Sequence, residues 1–532
     1  LPSVRVLSFL LCLFFSSAVA DVPLHTDWQT YQDGSLGSHP KQNFFSAPHV
    51  WAPVWQVNKL ALDKVDKAPY MFLGGGYNAS QYGPSIMSSQ DLSLIWADEQ
   101  YETTGQTKPL VFKGQPVLAT YAGEGIRVYN QHYQQLYFIR SHLANHTRDA
   151  HEMYLTDDET FIINAFHYTK ADLRRLGGPE DGQVIHAEFQ EIDPVTDTTP
   201  EGDYLVSLKH MSTITLIDGQ TSQIKWIMGG KHNQFRDITK NNTAVFRWQH
   251  NPRLHGTNRM TLFDNSQHHN GFCADGVPGV HCSRGLEIEF DPVAKTRKVV
   301  NEWYHPQGII TASRGSVQAL DDSGNTLIAW GQNSLITEYA PDGEVVMDVQ
   351  RNRVENGLIV IQPSYIYRVW KGDWEGKPLW GPNISANADP TNGDTTIYVS
   401  WNGATEVKKW VLLLSDSQSD LTGADRVASE SPRMGFETGF NLPRNAAFAR
   451  IAAVDKNDAV IGSTPVVHIA SGVLHAADYE ITNLKRPQDE ADATKEPEYH
   501  ITTIPPSVLG DFNDISSLPL YLASATSVGF AA

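Results

Sequence analysis

Apolar and polar positions alternate along most of the chain in short runs separated by Gly, Asn and Asp, and helical periodicity is scarce. One stretch runs Tyr204–Leu208, a polar turn, Ser212–Asp218, Gly219, then Gln223–Gly230. A second runs Gly315–Leu320, an acidic turn over 321–325, Thr326–Gly331, Leu335–Tyr339, Asp342-Gly343, then Glu344–Met347. The shared grammar is strand, acidic-Gly turn, strand, polar break, strand, Asp-Gly turn, strand, which is that of a four-stranded antiparallel sheet. Units of this kind are read at 68–97, 109–141, 151–196, 204–229, 246–305 and 313–350. Repeated small sheets hide their faces and edges when they pack radially, so the pattern predicts an all-β fold built on a six-bladed β-propeller over 21–380.

After Trp380 the pattern changes. Thr395–Trp401, Lys409–Leu414, Ala447–Val454 and Pro465–Ile469 are spaced strands carrying buried-type Trp and Leu residues. They predict a small fibronectin-III/Ig-like β-sandwich module over 381–470. Residues 471–532 read as a polar C-terminal tail, whose weakly apolar end, 518–532, also has the outline of a lipid-anchor signal.

The first twenty residues stand apart from this pattern. Arg5 is their only charge, an apolar run from Val6 to Phe15 follows, and Ala18-Val19-Ala20 is a small-x-small cleavage site. Residues 1–20 therefore read as a signal peptide, and the protein as secreted or held in the secretory-pathway lumen. No later stretch has the apolar length of a transmembrane helix. Outside the leader two cysteines remain, Cys273 and Cys282, which predict a disulfide closing a short polar loop. Asn78, Asn145, Asn241 and Asn383 head Asn-x-Ser/Thr sequons and are expected to be glycosylated. With 41 Lys+Arg against 60 Asp+Glu the net charge is -19, and no basic stripe offers a nucleic-acid surface.

Familiar catalytic signatures are missing. His151-Glu152 begins like a zinc-protease helix, but Leu155 stands where the second histidine is needed. There is no Gly-x-Ser-x-Gly elbow. Gly74-Gly75-Gly76 lacks the phosphate-loop lysine and Gly123-Glu124-Gly125 lacks a third glycine, so both read as turns. No metal and no cofactor is expected. Histidine is the informative residue type: His151 opens one predicted strand, His250 and His255 flank another, and Arg284 follows the disulfide loop. In a propeller the starts of the innermost strands face one channel, so these side chains are expected to converge on a pocket. Imidazoles beside a guanidinium suit an anionic or carbonyl oxygen.

The runs Gln249–His255, Thr261–Asn265, Ser283–Gly285, Gly324–Gly331 and Tyr398–Val407 resemble the fungal branch of the arylsulfotransferase-like family, a likeness covering roughly residues 45–470. It implies a six-bladed propeller with a C-terminal sandwich. Bacterial members of the family move sulfate between phenols through a transient sulfo-histidine aided by further histidines and an arginine. The likeness maps His151 and His250 onto two helper histidines and Arg284 onto the arginine. Where the nucleophilic histidine is expected, at 312–320, this sequence has Arg314, Ser316 and Gln318, and His305 is displaced from that place.

Some fungal relatives resemble cycloaddition catalysts that join a tropolone-derived quinone methide to a terpene alkene. Such chemistry needs no nucleophile, only two partners held together and hydrogen-bond donors on a carbonyl. The leading expectation is therefore an enzyme of secondary metabolism, a hetero-Diels–Alderase acting on an aromatic or terpenoid small molecule. His151, His250, His255 and Arg284 would be the donors, with Asn265, Arg314, Gln318, Trp330, Tyr365 and Arg368 lining the pocket. The alternatives are an arylsulfate sulfotransferase and a non-catalytic propeller that binds carbohydrate or small molecules.

Overall fold

The computed structural model describes residues 21, 26–37, 40–75, 83–100, 104–123, 125–141, 146–195, 203–240, 244–266, 271–273, 282–355, 358–359, 365–442, 445–477, 479–481 and 484. The chain divides into Leu1–Leu484 and Lys485–Ala532, and every described residue lies in the former. The predicted leader, most of the tail, and Asn78, Asn145 and Asn241 fall outside the described residues. Asn383 is half-buried at the start of a strand. No helix among the described residues is long and apolar enough to cross a membrane.

The molecule is nearly all β, in many antiparallel sheets. Among the described residues between 56 and 372, six sheets of three or more strands follow one another in the sequence. Ile366–Gly372 pairs with Tyr70–Gly75 and so completes a sheet that continues through Ser85–Ser88 and Leu94–Ala97. Thr104–Ile139 forms a four-stranded sheet, and 146–192 and 204–229 form three-stranded ones. Arg236–Tyr304 supplies a five-stranded sheet. Ser316–Gln350 supplies four strands, to which Gln56–Leu60 adds a fifth.

The alternating pattern located these strands closely. Tyr204–Leu208, Thr213–Ile217 and Ile224–Gly229 lie where predicted, as do Ser316–Ala319, Thr326–Ala329, Leu335–Tyr339 and Val345–Gln350. Period-2 alternation reports which strands are half-buried but not which distant strand completes a sheet. The contributions of 56–60 and 366–372 to the terminal sheets are for that reason absent from the predicted boundaries.

Gly74 and Gly75 are strand residues rather than a turn. A Cβ on Gly74 would sit 2.4 Å from the Gln106 Cα, and one on Gly75 2.2 Å from the Tyr365 carbonyl oxygen. Two bare positions thus let three strands approach closely. The Gly123–Gly125 stretch does join consecutive hairpin strands, with Gly123 at φ +64°.

After residue 380, Asn383–Ala388, Thr395–Ser400 and Glu437–Asn441 form one sheet, and strands between Lys409 and His475 form another. The two share a core that includes Ile397, Val399, Trp410, Leu412, Leu414 and Ile451. Cys273 and Cys282 are disulfide-bonded, as is compatible with an oxidising compartment.

Candidate functional site

Six strands, one from each sheet, lie side by side in an arc. In order they are 146–155, 104–112, 366–372, 316–319, 250–255 and 204–208. Four of them are bulged. Thr104 pairs with Ala122 but Thr107 with Thr120; Asp149 pairs with Asn164 but Met153 with Ile163. His250 pairs with Phe263 but Arg253 with Thr261, and Ile366 with Gly75 but Arg368 with Gly74. A bulge breaks the alternation and re-aims the side chains it carries. The sequence explains one directly: in His250-Asn251-Pro252-Arg253, Pro252 has no N–H for the ladder and Asn251 takes a left-handed φ of +53°.

The bulges present a charge clamp. Glu152 accepts hydrogen bonds from Arg253 at 3.0 Å and from Arg368 Nη1 at 2.9 Å. Gln106 donates to Glu152 at 3.3 Å and accepts from Arg368 at 3.2 Å. Arg368 Nη2 also donates to the His151 carbonyl at 2.8 Å. Burial alone would raise the Glu152 carboxyl, but Arg253 and Arg368 outweigh it and hold the group well below the usual carboxylate range. The contact between Glu152 and Arg253 ties strands 146–155 and 250–255, which are far apart along the arc.

At the strand starts the surroundings differ. The three extra residues of the 146–155 bulge lift His151 outward, and its side chain is 57% exposed. Its ring Nδ1 and its backbone N–H both meet the Asp149 carboxylate, which is buried. Nε2 has no hydrogen bond to any described residue. The ring stands edge-on to Tyr367 at 5.9 Å and Phe166 at 6.2 Å.

Lys209 and His210 occupy a short turn after the 204–208 strand, and both contact Trp248: His210 edge-on at 5.0 Å, Lys209 at 5.4 Å. Arg314 lies over the Tyr365 ring at 3.7 Å. No ion pair joins Lys209, His210 or Arg314 to a described residue. They do sense one another: burial lowers Lys209 with help from Arg314, and burial lowers His210 with help from Lys209 and His151. The result is a mouth with two cations, Lys209 and Arg314, that no described carboxylate pairs, beside the imidazole of His210 and an aromatic rim.

His250 lies beneath this mouth with both ring nitrogens engaged. Nδ1 faces Asn265 Oδ1 at 2.6 Å, and Nε2 accepts the Arg314 backbone N–H at 3.1 Å. That pattern requires the neutral ring with its proton on Nδ1. Burial, followed by Lys209, His151 and Arg368, pushes its pKa down to about 3, against the Asn265 hydrogen bond that favours the charged form. Asn265 donates in turn to the carbonyls of Thr311 and Arg314, so the pair fixes the segment that carries Arg314.

Other predicted site residues lie elsewhere. Arg284 is buried and bonded to Asp264, Glu302 and Tyr304 of its own sheet and to the Val245 carbonyl. An arginine so fully matched has no fork left for a ligand. His255 ends the strand that His250 starts, roughly 16 Å along it, and contacts Thr261. Trp330 is fully buried against Phe263 and His305 rather than lining a cavity. Gln318 is tied to the Lys371 backbone at 2.7 and 2.9 Å, and Ser316 similarly contacts Val369, so both join neighbouring strands. His305 is buried and bonded to Asp348.

The residues not anticipated from sequence are Asp149, Glu152, Arg253, Gln106, Lys209, His210, Trp248 and Tyr367. Asp149-Ala-His151 carried only a weak signal, a carboxylate two residues from an imidazole, because the bulge after Asp149 breaks the strand alternation there. The clamp carried none, since its members are far apart in the chain.

Residues 108–200 and 196–353 match the family model described as Arylsulfotransferase (ASST), which spans Asp149, His151, Lys209, His250 and Arg314. No curated protein matches the chain. Among solved structures it is similar to an auxiliary nutrient binding protein from Bacteroides thetaiotaomicron (10% identity, 65% of this chain and 74% of that one, TM-score 0.27). It is also similar to one from Bacteroides ovatus (9%, 65% and 74%, 0.26) and to an endo-arabinase from Bacteroides thetaiotaomicron (11%, 57% and 95%, 0.25). The family match makes residues 108–353 similar to the arylsulfotransferase family.

Proposed function

We propose that the protein is a secreted arylsulfate sulfotransferase in which His151 takes the sulfuryl group from one phenol and passes it to another. The observation that carries this reading is the Asp149–His151 pair, with Nε2 free at a mouth of cations that lack carboxylate partners. Asp149 holds the proton on Nδ1, which leaves the Nε2 lone pair to attack. Nε2 bonds to sulfur as the sulfur–oxygen ester bond breaks and its electrons leave on the phenolate. The acceptor phenol then attacks sulfur, the nitrogen–sulfur bond returns its pair to Nε2, and the acceptor's proton passes to the released phenolate. Lys209 and Arg314 are suited to the sulfuryl oxygens, and Trp248 and Tyr365 to the aryl ring.

The six sheets then read as blades of a closed propeller. The arc of side-by-side strands and the clamp across it support that arrangement. The two sheets after residue 380 read as its fibronectin-III-like companion. Cycloaddition between a quinone methide and a terpene asks for neutral donors and an apolar seat, and a cluster of unpaired cations favours an anionic substrate instead.

The test is incubation with 4-nitrophenyl sulfate and a phenol acceptor. Nitrophenol release that is lost in His151→Ala, with unchanged folding, is expected. Absence of release by the unmodified protein, or full release by His151→Ala, overturns the reading.

A further inference from the structure

Lys108 lies on the 104–112 strand two residues beyond Gln106 of the clamp. It is half-buried, with Nζ 4.5 Å from the centroid of the Trp370 ring, and has no hydrogen bond or ion pair to any described residue. The charges that reach it are Arg253 from the 250–255 strand, Glu152 from 146–155 and Arg368 from 366–372. Glu152 is the sole carboxylate among them, and both guanidiniums already bind it. A protonated Lys108 would be a third cation beside one anion, in a partly dehydrated place. Burial first, then the two arginines, push its pKa down to about 8. Lysines beside another cation in a dehydrated site are the ones that act as nucleophiles.

We propose that Lys108 is a second reactive centre, separate from the mouth, whose neutral amine captures an aldehyde or ketone as an imine. The amine lone pair bonds to the carbonyl carbon, and a proton moves from nitrogen to oxygen to give the carbinolamine. The hydroxyl leaves as water with the second amine proton, and the C=N bond remains. The Trp370 face offers a flat seat for the carbonyl substituent. Burial, Arg253 and Arg368 raise the neutral fraction of the amine against the pull of Glu152, whose carboxylate is already bound by both guanidiniums. Nothing in this chemistry uses His151, so its failure would leave the sulfuryl-transfer reading where it stands.

The test treats the full chain with benzaldehyde, and in parallel with the smaller formaldehyde, in the presence of cyanoborohydride, which reduces an imine to a stable amine. Peptide mapping then compares Lys108 with Lys170, whose side chain is 78% exposed. Lys108 is expected to label about tenfold faster near neutral pH with at least one probe, an advantage that shrinks as the pH is raised. Lys108→Arg keeps the positive charge and should remove that adduct while Lys170 labels as before. If both probes label Lys108 no faster than Lys170, or leave it unmodified, the proposal is wrong.

Discussion

The mouth and the clamp beneath it are built from the same basic residue types, yet they differ in what faces each cation. In the clamp, Arg253 and Arg368 share Glu152, and Arg368 also donates to Gln106 and to the His151 carbonyl. At the mouth, Lys209, His210 and Arg314 rest on aromatic rings without a carboxylate. Matched buried charges resist rearrangement, and losing one partner strands the other. Unmatched cations remain available to an incoming anion. The same contrast separates the histidines: His250 has both nitrogens committed to Asn265 and Arg314, whereas His151 has one committed and one free.

The largest effect should come from exchanging roles at the mouth. His151→Ala is expected to lower nitrophenol release at least 10³-fold, and Asp149→Asn about 10²-fold by misorienting the ring, with little change in the unfolding midpoint of His151→Ala. The clamp should behave in the opposite way. Glu152→Gln leaves two buried guanidiniums without their anion and should cost about 3–5 kcal/mol in urea unfolding. The Glu152 carboxyl is depressed in the folded state, so its stabilisation is present above the unfolded-state pKa, near 4.3, and is lost as pH falls below it. Glu152→Gln should flatten that acid limb of the stability profile.

His250 adds a limb of its own. Its folded pKa of about 3 lies below the unfolded value near 6.5, so stability should fall as pH drops through that window, and His250→Gln should remove the slope. Reducing Cys273–Cys282, which closes a short loop, is expected to cost about 2–3 kcal/mol, read as a shift in the same urea midpoint. The smallest effects belong to single mouth cations. Lys209→Met and Arg314→Met should each raise KM for an aryl sulfate about tenfold with little change in kcat, the loss shrinking as salt screens the field.

Much of the fold was legible because period-2 alternation and Asp-Gly turns are local signals. Thr326–Ala329 and Leu335–Tyr339 fell where the pattern put them. The joining of 366–372 to 70–75 was not legible, since nothing in either segment names its partner. The site divides in the same manner. His151, His250 and Arg314 stood out by residue type. Glu152 was set aside with a failed zinc motif, and only the three-residue bulge after Asp149 turns it toward Arg253 and Arg368. Arg284 was chosen by its residue type and by the family likeness, and its carboxylates, Asp264 and Glu302, sit 20 and 18 residues away in the same sheet.

The most direct test of the contrast is calorimetric binding of 4-nitrophenyl sulfate beside its neutral methyl-ether analogue, 4-nitroanisole. The account predicts saturable binding of the sulfate that weakens with added salt, collapses in the Lys209→Met/Arg314→Met double variant, and survives Arg259→Met, an exposed residue paired with His255 at the strand end away from His250. Equal affinity for the neutral analogue, or sulfate binding untouched by the double variant, would contradict it.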